Sequence, residues 1–281
     1  MRSVFAMIMI FAASIVHAQS VAVPTRGTTW EFPTAVTVNA RNYNTAKETF
    51  GAGNRTVIVP AGTYLVGALE IFSNTVVLLE PGAVIKDSGV LPFATPLIKI
   101  RGNNVRIIGH GARVIAKRSD YTTGEHRAGI LIFGASNVHI EGLESSFHGG
   151  DGFYIGGPAG DPSTDISITG CLADGNRRQG MSIVNAARVY VADCEFRNTV
   201  GTWPMFGVDV EPNNPGDYIE RVYLIRPETA NNRGGGITVG LSGFGATGRP
   251  ASVVIDGHRS AGEVIVFQRS SIRAIDSVVY Q

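Results

Sequence analysis

The sequence predicts an all-β chain wound into a single-stranded, right-handed parallel β-helix. Three observations carry that prediction. Glycine is abundant, at 35 of 281 residues, while lysine is confined to Lys47, Lys86, Lys99 and Lys117. Many turn formers and few helix formers favour strands joined by frequent corners. One strand pattern, close to V-x-I, recurs at Asn104–His110, Asn137–Leu143, Asp165–Cys171, Arg188–Cys194, Arg221–Arg226 and Ser252–His258, with starts 23 to 33 residues apart. A second pattern, a glycine followed by alternating apolar residues, starts at Gly129, Gly152, Gly180, Gly207 and Gly236, with spacings of 23, 28, 27 and 29. Two interleaved strand families sharing one period mean one coil per repeat. A single coil cannot bury its apolar side, but stacked coils share a core. A propeller would need four antiparallel strands per ~40-residue blade, and a jelly roll lacks in-register repeats.

Composition agrees with a large folded domain. Hydrophobic residues make up 44% and charged residues 17%, which excludes a disordered chain. The formal net charge is +1 and no basic block appears, so a nucleic-acid partner bound by counterion release is not expected. The N-terminus reads as a secretory signal, residues 1–18. Arg2 gives the positive end, Val4 to Val16 is apolar, and Val16-His17-Ala18 fits the small-residue rule for cleavage after Ala18. An apolar run of about 13 residues is short for a ~30 Å bilayer core, which places a membrane anchor second. Residues 19–281 are then expected to form one β-helix domain, secreted or periplasmic and free of the membrane. Gln19 to about Glu48 is expected to cap one end, and the stretch after Gly262 to form the last coils.

Strand alternation assigns the faces. After each glycine of the second family, Phe153 and Ile155, Met181 and Ile183, Val208 and Val210, Ile237 and Val239 point inward. Tyr154 and Gly156, Ser182 and Val184, Asp209 and Glu211, Thr238 and Gly240 point outward. With coils ~4.8 Å apart, the outward residues form a ladder along one face.

Val57-Ile-Val-Pro-Ala-Gly-Thr-Tyr-Leu-Val-Gly67 and Ser73-Asn-Thr-Val-Val-Leu-Leu-Glu-Pro-Gly-Ala-Val-Ile-Lys86 resemble the opening of the pectate-lyase-like and polygalacturonase-like β-helices. The resemblance extends in pattern from about Asn54 to Gly240 and is specific only in its first part. It implies the fold strongly and the chemistry weakly, because the fold hosts lyases, hydrolases, epimerases and non-catalytic modules, and a polysaccharide is the partner it leads one to expect. A homo-oligomer is also compatible with it. The polygalacturonase motifs depart from this chain. Gly150-Asp151-Gly152, Arg178-Gln179-Gly180 and Val208-Asp209-Val210-Glu211 stand at the comparable coils. Asp151 alone matches the paired aspartates, and the family's Gly-His-Gly and Arg-Ile-Lys are missing.

Asp209 and Glu211 are the leading candidates for chemistry. Two carboxylates at i and i+2 share one strand face with Cα atoms ~6.6 Å apart. That spacing is compatible with glycoside hydrolysis and leans towards inversion. Two neighbouring acids raise the pKa of one of them, as a general acid requires. Asp151 joins them as the third catalytic candidate. Arg178 and Arg233, with Arg177, are expected in register with Asp151 on the adjoining corner, where guanidinium groups suit an acidic sugar. Asp174, His148 as proton carrier, and Tyr154 and Trp203 as ring platforms complete the substrate-binding set.

Other readings stand beside these. Asp209 and Glu211 would also make a surface ladder of salt bridges with Arg178 and Arg233. Asp151 and Asp174 each adjoin a glycine and suit turns. His148 fits a turn better than catalysis, Trp203 beside Pro204 could pack over a loop, and Arg177 or Arg178 could be solvated. Asp151, Asp209 and Glu211 are hard oxygen ligands, so Ca²⁺ is a candidate, although the interleaved arginines argue against it and no cofactor is the primary expectation. No His/Cys spacing suits zinc. Cys171 and Cys194 occupy one position of adjacent coils, which leaves a disulfide and a pair of stacked core thiols both open. Overall, a glycoside hydrolase leads, a polysaccharide lyase or uronate epimerase follows, and a non-catalytic glycan-binding or surface protein is the reading from another class.

Overall fold

The computed structural model describes residues 35–38, 43–268, 272–273 and 275–281. The expected signal segment and most of the expected cap lie outside the described residues. Three parallel sheets run along the molecule, of ten, eight and eight strands. Every pairing is parallel, so each turn of the chain adds one strand to each sheet in the order I, II, III. Sheet I collects the V-x-I family. Val105, Val138, Ile166, Val189, Val222 and Val253 stand directly above one another in it. Sheet III collects the glycine-led family, with Ile130, Phe153, Met181, Val208 and Ile237 in one stack.

Sheet II is the element that the two repeat patterns do not announce. Its strands are as short as Glu144–Ser146, Leu172–Asp174 and Glu195–Arg197. Each turns one central residue inward, Ser145, Ala173 or Phe196, and all three are fully buried. One inward residue per strand cannot produce a visible period of two.

The inward residues of the three sheets form a single core. Val138, Ile140, Ile166, Ile168, Ile183, Val208, Val210, Ile237 and Val239 are all buried in it. Burying each such side chain stabilises by roughly 1.5–3 kcal/mol. The corners before sheet I need left-handed backbone, and Asn104 (φ 59°), Asn137 (φ 54°), Asp165 (φ 58°) and Arg188 (φ 57°) adopt it in successive coils. Asparagine and aspartate tolerate this conformation better than most residues. Their side chains also stack. Asn104 donates to Asn74 at 2.8 Å and Asn137 to Asn104 at 2.9 Å, and Arg188 then grips both oxygens of Asp165 at 2.7 Å.

Helix α1 (Tyr43–Gly51) buries Ala46 and Phe50 against the first coil. At the other end, Ile265–Phe267 and Ser277–Tyr280 add the last strands of sheets III and I, as expected for the stretch after Gly262. Cys171 and Cys194 are free, buried thiols. The Cys171 amide donates to the Cys194 sulfur at 3.4 Å. Hydrogen bonding to Cys171 and burial hold the Cys194 thiol well above its ordinary pKa, so it stays protonated.

Candidate active site

The outward row of sheet III has the register that alternation implies. Leu131, Tyr154, Ser182, Asp209 and Thr238 are paired strand to strand. Yet the row is covered. Asp209 is 3% exposed, and Ser182 and Thr238 are equally enclosed. Loops on either side of the sheet reach its neighbourhood. The segment after Glu211 brings Asn213 to the Tyr154 hydroxyl. The long segment between Arg113–Ile115 and Ile130–Phe133 brings Glu125 to Arg178.

Beneath these loops lies a buried polar cluster. Asp151 is 2% exposed, and its Oδ2 accepts from the Ser182 hydroxyl at 2.8 Å and from Arg178 Nη1 at 3.4 Å. Its Oδ1 is buried with no hydrogen-bond partner among the described residues. Arg178 Nε donates to Glu125 at 3.0 Å. Gln179 Nε2 donates to Asp209 Oδ2 at 2.6 Å. Glu211, two residues on, is half-buried beside the same face.

Burial pushes the Asp209 carboxyl up to about 7, and the Glu211 charge adds to the rise, while Arg178 opposes it. Burial also raises Asp151, against the pull of Arg178 and Ser182. Asp209 therefore holds or releases a proton near neutrality, which is the property of a general acid.

The structure thus gathers Asp151, Arg178, Asp209 and Glu211, with Tyr154 in the rung next to Ser182, and separates His148, Asp174, Arg177 and Arg233 from them. His148 is a core residue. Its ring meets the Val114 carbonyl at 3.0 Å, which makes Nε2 the protonated nitrogen. Asn176 and Asn232 make the same type of contact, to the carbonyls of Ser145 and Phe196. His148 is therefore a rung of an internal amide ladder, and burial lowers its pKa to about 4. Asp174 belongs to sheet II, where it binds Arg197 at 3.0 Å and Asn198 at 2.7 Å. Arg177 turns to the 116–129 segment and donates to the carbonyls of Thr122 and Gly124.

Arg233 is exposed and out of register with Arg178. It directly follows Asn232, the stacked counterpart of Asn176, and so matches Arg177. Tyr154 is largely enclosed, and burial carries its hydroxyl to about 12, which leaves little ring face for a sugar. Trp203 is 68% exposed at the rim. Three participants were not given roles from sequence: Glu125, Gln179 and Asn213. Ser182 was legible as an outward residue, whereas Glu125 and Asn213 lie on long loops whose paths follow no repeat.

A bound Ca²⁺ would need acceptor oxygens facing one point. Here Arg178, Ser182 and Gln179 direct donors at the two aspartates. Among the described residues no group of three or more His, Cys, Asp or Glu side chains is arranged for a metal ion. The residues present, with donors aimed at both aspartates, do not fit Ca²⁺. Among the described residues no helix is long and apolar enough to cross a membrane.

Residues 67–247 match the family described as the right-handed beta helix region. The chain belongs to that family. It is 26% identical over 241 residues to the uncharacterized protein YclG of Bacillus subtilis, covering 74% of this chain and 40% of that protein. The chain thus spans well under half the length of this curated relative. Among solved structures it is similar to a family 28 exopolygalacturonase from Yersinia enterocolitica, with a TM-score of 0.57 and 13% identity over 89% of this chain and 65% of that one. It is also similar to the pre-mature gene product 12 of bacteriophage phi29, with a TM-score of 0.60 and 19% identity over 87% of this chain and 33% of that one. At these identities the likeness concerns the fold.

Proposed function

We propose that this chain is an exported polysaccharide-active enzyme that hydrolyses a glycosidic bond, with Asp209 as general acid and Glu211 as the opposing carboxylate. The carrying observation is the Asp209 carboxyl, buried beside Glu211 and poised at about 7. Asp209 transfers a proton to the leaving glycosidic oxygen as the C–O bond breaks. Glu211 takes a proton from the water that attacks the anomeric carbon. Asp209 ends ionised and Glu211 protonated, and exchange with solvent restores both. The ~6.6 Å backbone spacing of the pair favours inversion. Asp151, engaged by Arg178 and Ser182, is not the acid, and it adds only a smaller upward push on Asp209 behind burial and the Glu211 charge. Arg178 already faces two carboxylates, so recognition of an acidic sugar falls to the exposed Arg233. The exopolygalacturonase likeness supports a polysaccharide substrate and leaves its identity open.

The burial of Asp209 and Asp151 favours a second reading, a module that binds glycan without turning it over. One experiment separates them. The protein is incubated with a panel of neutral and uronate-containing polysaccharides, and new reducing ends are measured. Hydrolysis lost in both Asp209→Asn and Glu211→Gln supports the proposal. Full turnover in both variants sinks the assignment. Binding without turnover across the panel favours the second reading, and an unsaturated, ultraviolet-absorbing product would indicate a lyase.

A further inference from the structure

We propose that Gln179 is the positioning residue of this site, holding Asp209 so that Oδ1 alone is presented to the reacting bond. This rests on the assignment of Asp209 as general acid. Gln179 is 0% exposed and lies in the corner just before Met181–Ile183. Both ends of its amide are engaged. The Phe206 backbone amide donates to Oε1 at 2.6 Å, and Nε2 donates to Asp209 Oδ2 at 2.6 Å. A backbone N–H can only donate, so flipping the amide would set two donors face to face and two acceptors face to face. The orientation is therefore determined by the network. An oxygen held by an N–H donor is the poorer place for a proton, so the proton of Asp209 resides on Oδ1.

Gln179 is also a neutral donor that favours the ionised form of Asp209. Glu211 just past the end of the strand and Asp151 from the preceding corner oppose that form, and Arg178 supports it. The flanking rungs of the row, Ser182 and Thr238, carry no charge. Removing the Gln179 donor should therefore raise the midpoint of Asp209 and free its carboxyl to rotate.

The test is an NMR titration of the full chain, without ligand. Aspartate carboxyl carbons are labelled, and the Asp209 signal is identified by its loss in Asp209→Asn. In the unsubstituted protein the Gln179 side-chain amide signals should titrate with the same midpoint as Asp209. In Gln179→Met the Asp209 midpoint should rise by about one pH unit or more. A purely structural glutamine would lower the melting temperature and leave the midpoint in place. An unchanged midpoint in folded Gln179→Met overturns the proposal. Should that variant not fold, Gln179 amide signals that ignore the Asp209 titration overturn it instead. These outcomes are independent of turnover. Hydrolysis retained by Asp209→Asn would remove the general-acid assignment while leaving the measured Gln179–Asp209 link intact.

Discussion

Asp209→Asn should abolish turnover and at the same time stabilise the fold above neutral pH. The folded carboxyl titrates at about 7 against an ordinary 3.8. That gap of about three pH units corresponds to on the order of 4 kcal/mol, at ~1.4 kcal/mol per unit. The sign follows from proton binding. Between the two values the native state holds a proton that the unfolded chain has released, so this group makes stability fall as pH rises from ~4 to ~7. Asparagine removes the ionisable group and keeps an oxygen to accept from Gln179 Nε2. Arg178 retains Asp151 and Glu125 as partners. The assay is urea unfolding of both proteins at about pH 4, 6 and 8, followed by circular dichroism. The variant should match the natural protein at low pH and exceed it by a few kcal/mol at high pH. If Asp209→Asn is instead less stable than the natural protein at about pH 8, Asp209 is a structural link and the reasoning fails.

Other consequences can be checked on the same instruments. Arg178→Met strands Asp151 in the interior and should cost roughly 3–5 kcal/mol, with part of the loss recovered in the double variant Arg178→Met, Asp151→Asn. His148→Asn should be tolerated as an amide rung, whereas His148→Leu leaves the Val114 carbonyl bare and should cost about 1–3 kcal/mol in urea. Because the folded His148 titrates at about 4, below its usual 6.5, it makes stability fall as pH drops through that window. His148→Asn should remove that dependence, which is opposite in sign to that of Asp209. Cys171 and Cys194 should resist a thiol reagent in the native protein and react once it unfolds in urea. Asp165→Asn removes the exposed ion pair with Arg188 while keeping a residue that tolerates the φ 58° corner, and should change stability by about 0–1 kcal/mol.

The coils were legible because two of the three sheets carry inward residues at period two. Phe153, Met181, Val208 and Ile237 gave sheet III its register, and the structure pairs them as the alternation requires. Sheet II escaped because a strand such as Leu172–Asp174 has a single inward residue. The same limit misplaced Asp174, which belongs to that sheet. Arg233 stands three residues before Gly236, as Arg177 stands three before Gly180, so a strict count back from the glycines matches it to Arg177 rather than to Arg178. The covering of Asp209 was not legible either. The contacts of Glu125 with Arg178 and of Asn213 with Tyr154 come from loops that obey no repeat. His148 was hidden for a different reason. An imidazole and a carboxamide can make the same bond to a carbonyl, and only its stacking with Asn176 identifies the role.

The surrounding ladders bear on whether Asp209 belongs to structure or to chemistry. Where this fold stacks charge for stability, it does so at exposed corners and in complementary pairs. Arg188 meets Asp165 and Arg226 meets Asp193, each at 2.7 Å. Asp151 follows a buried version of that logic, with Arg178 as its partner. Asp209 does not. The rungs above and below it are Ser182 and Thr238, its hydrogen bond comes from a neutral amide, and the charge two residues on along the chain is Glu211. A row selected only for stability would be better served by an uncharged residue here, since the charge costs free energy at neutral pH and receives no guanidinium hydrogen bond in return. A salt-bridge ladder therefore explains Asp151 and leaves Asp209 unexplained. Proton transfer explains Asp209, because burial and the Glu211 charge raise the carboxyl that carries the proton, while Asp151 stays paired with Arg178.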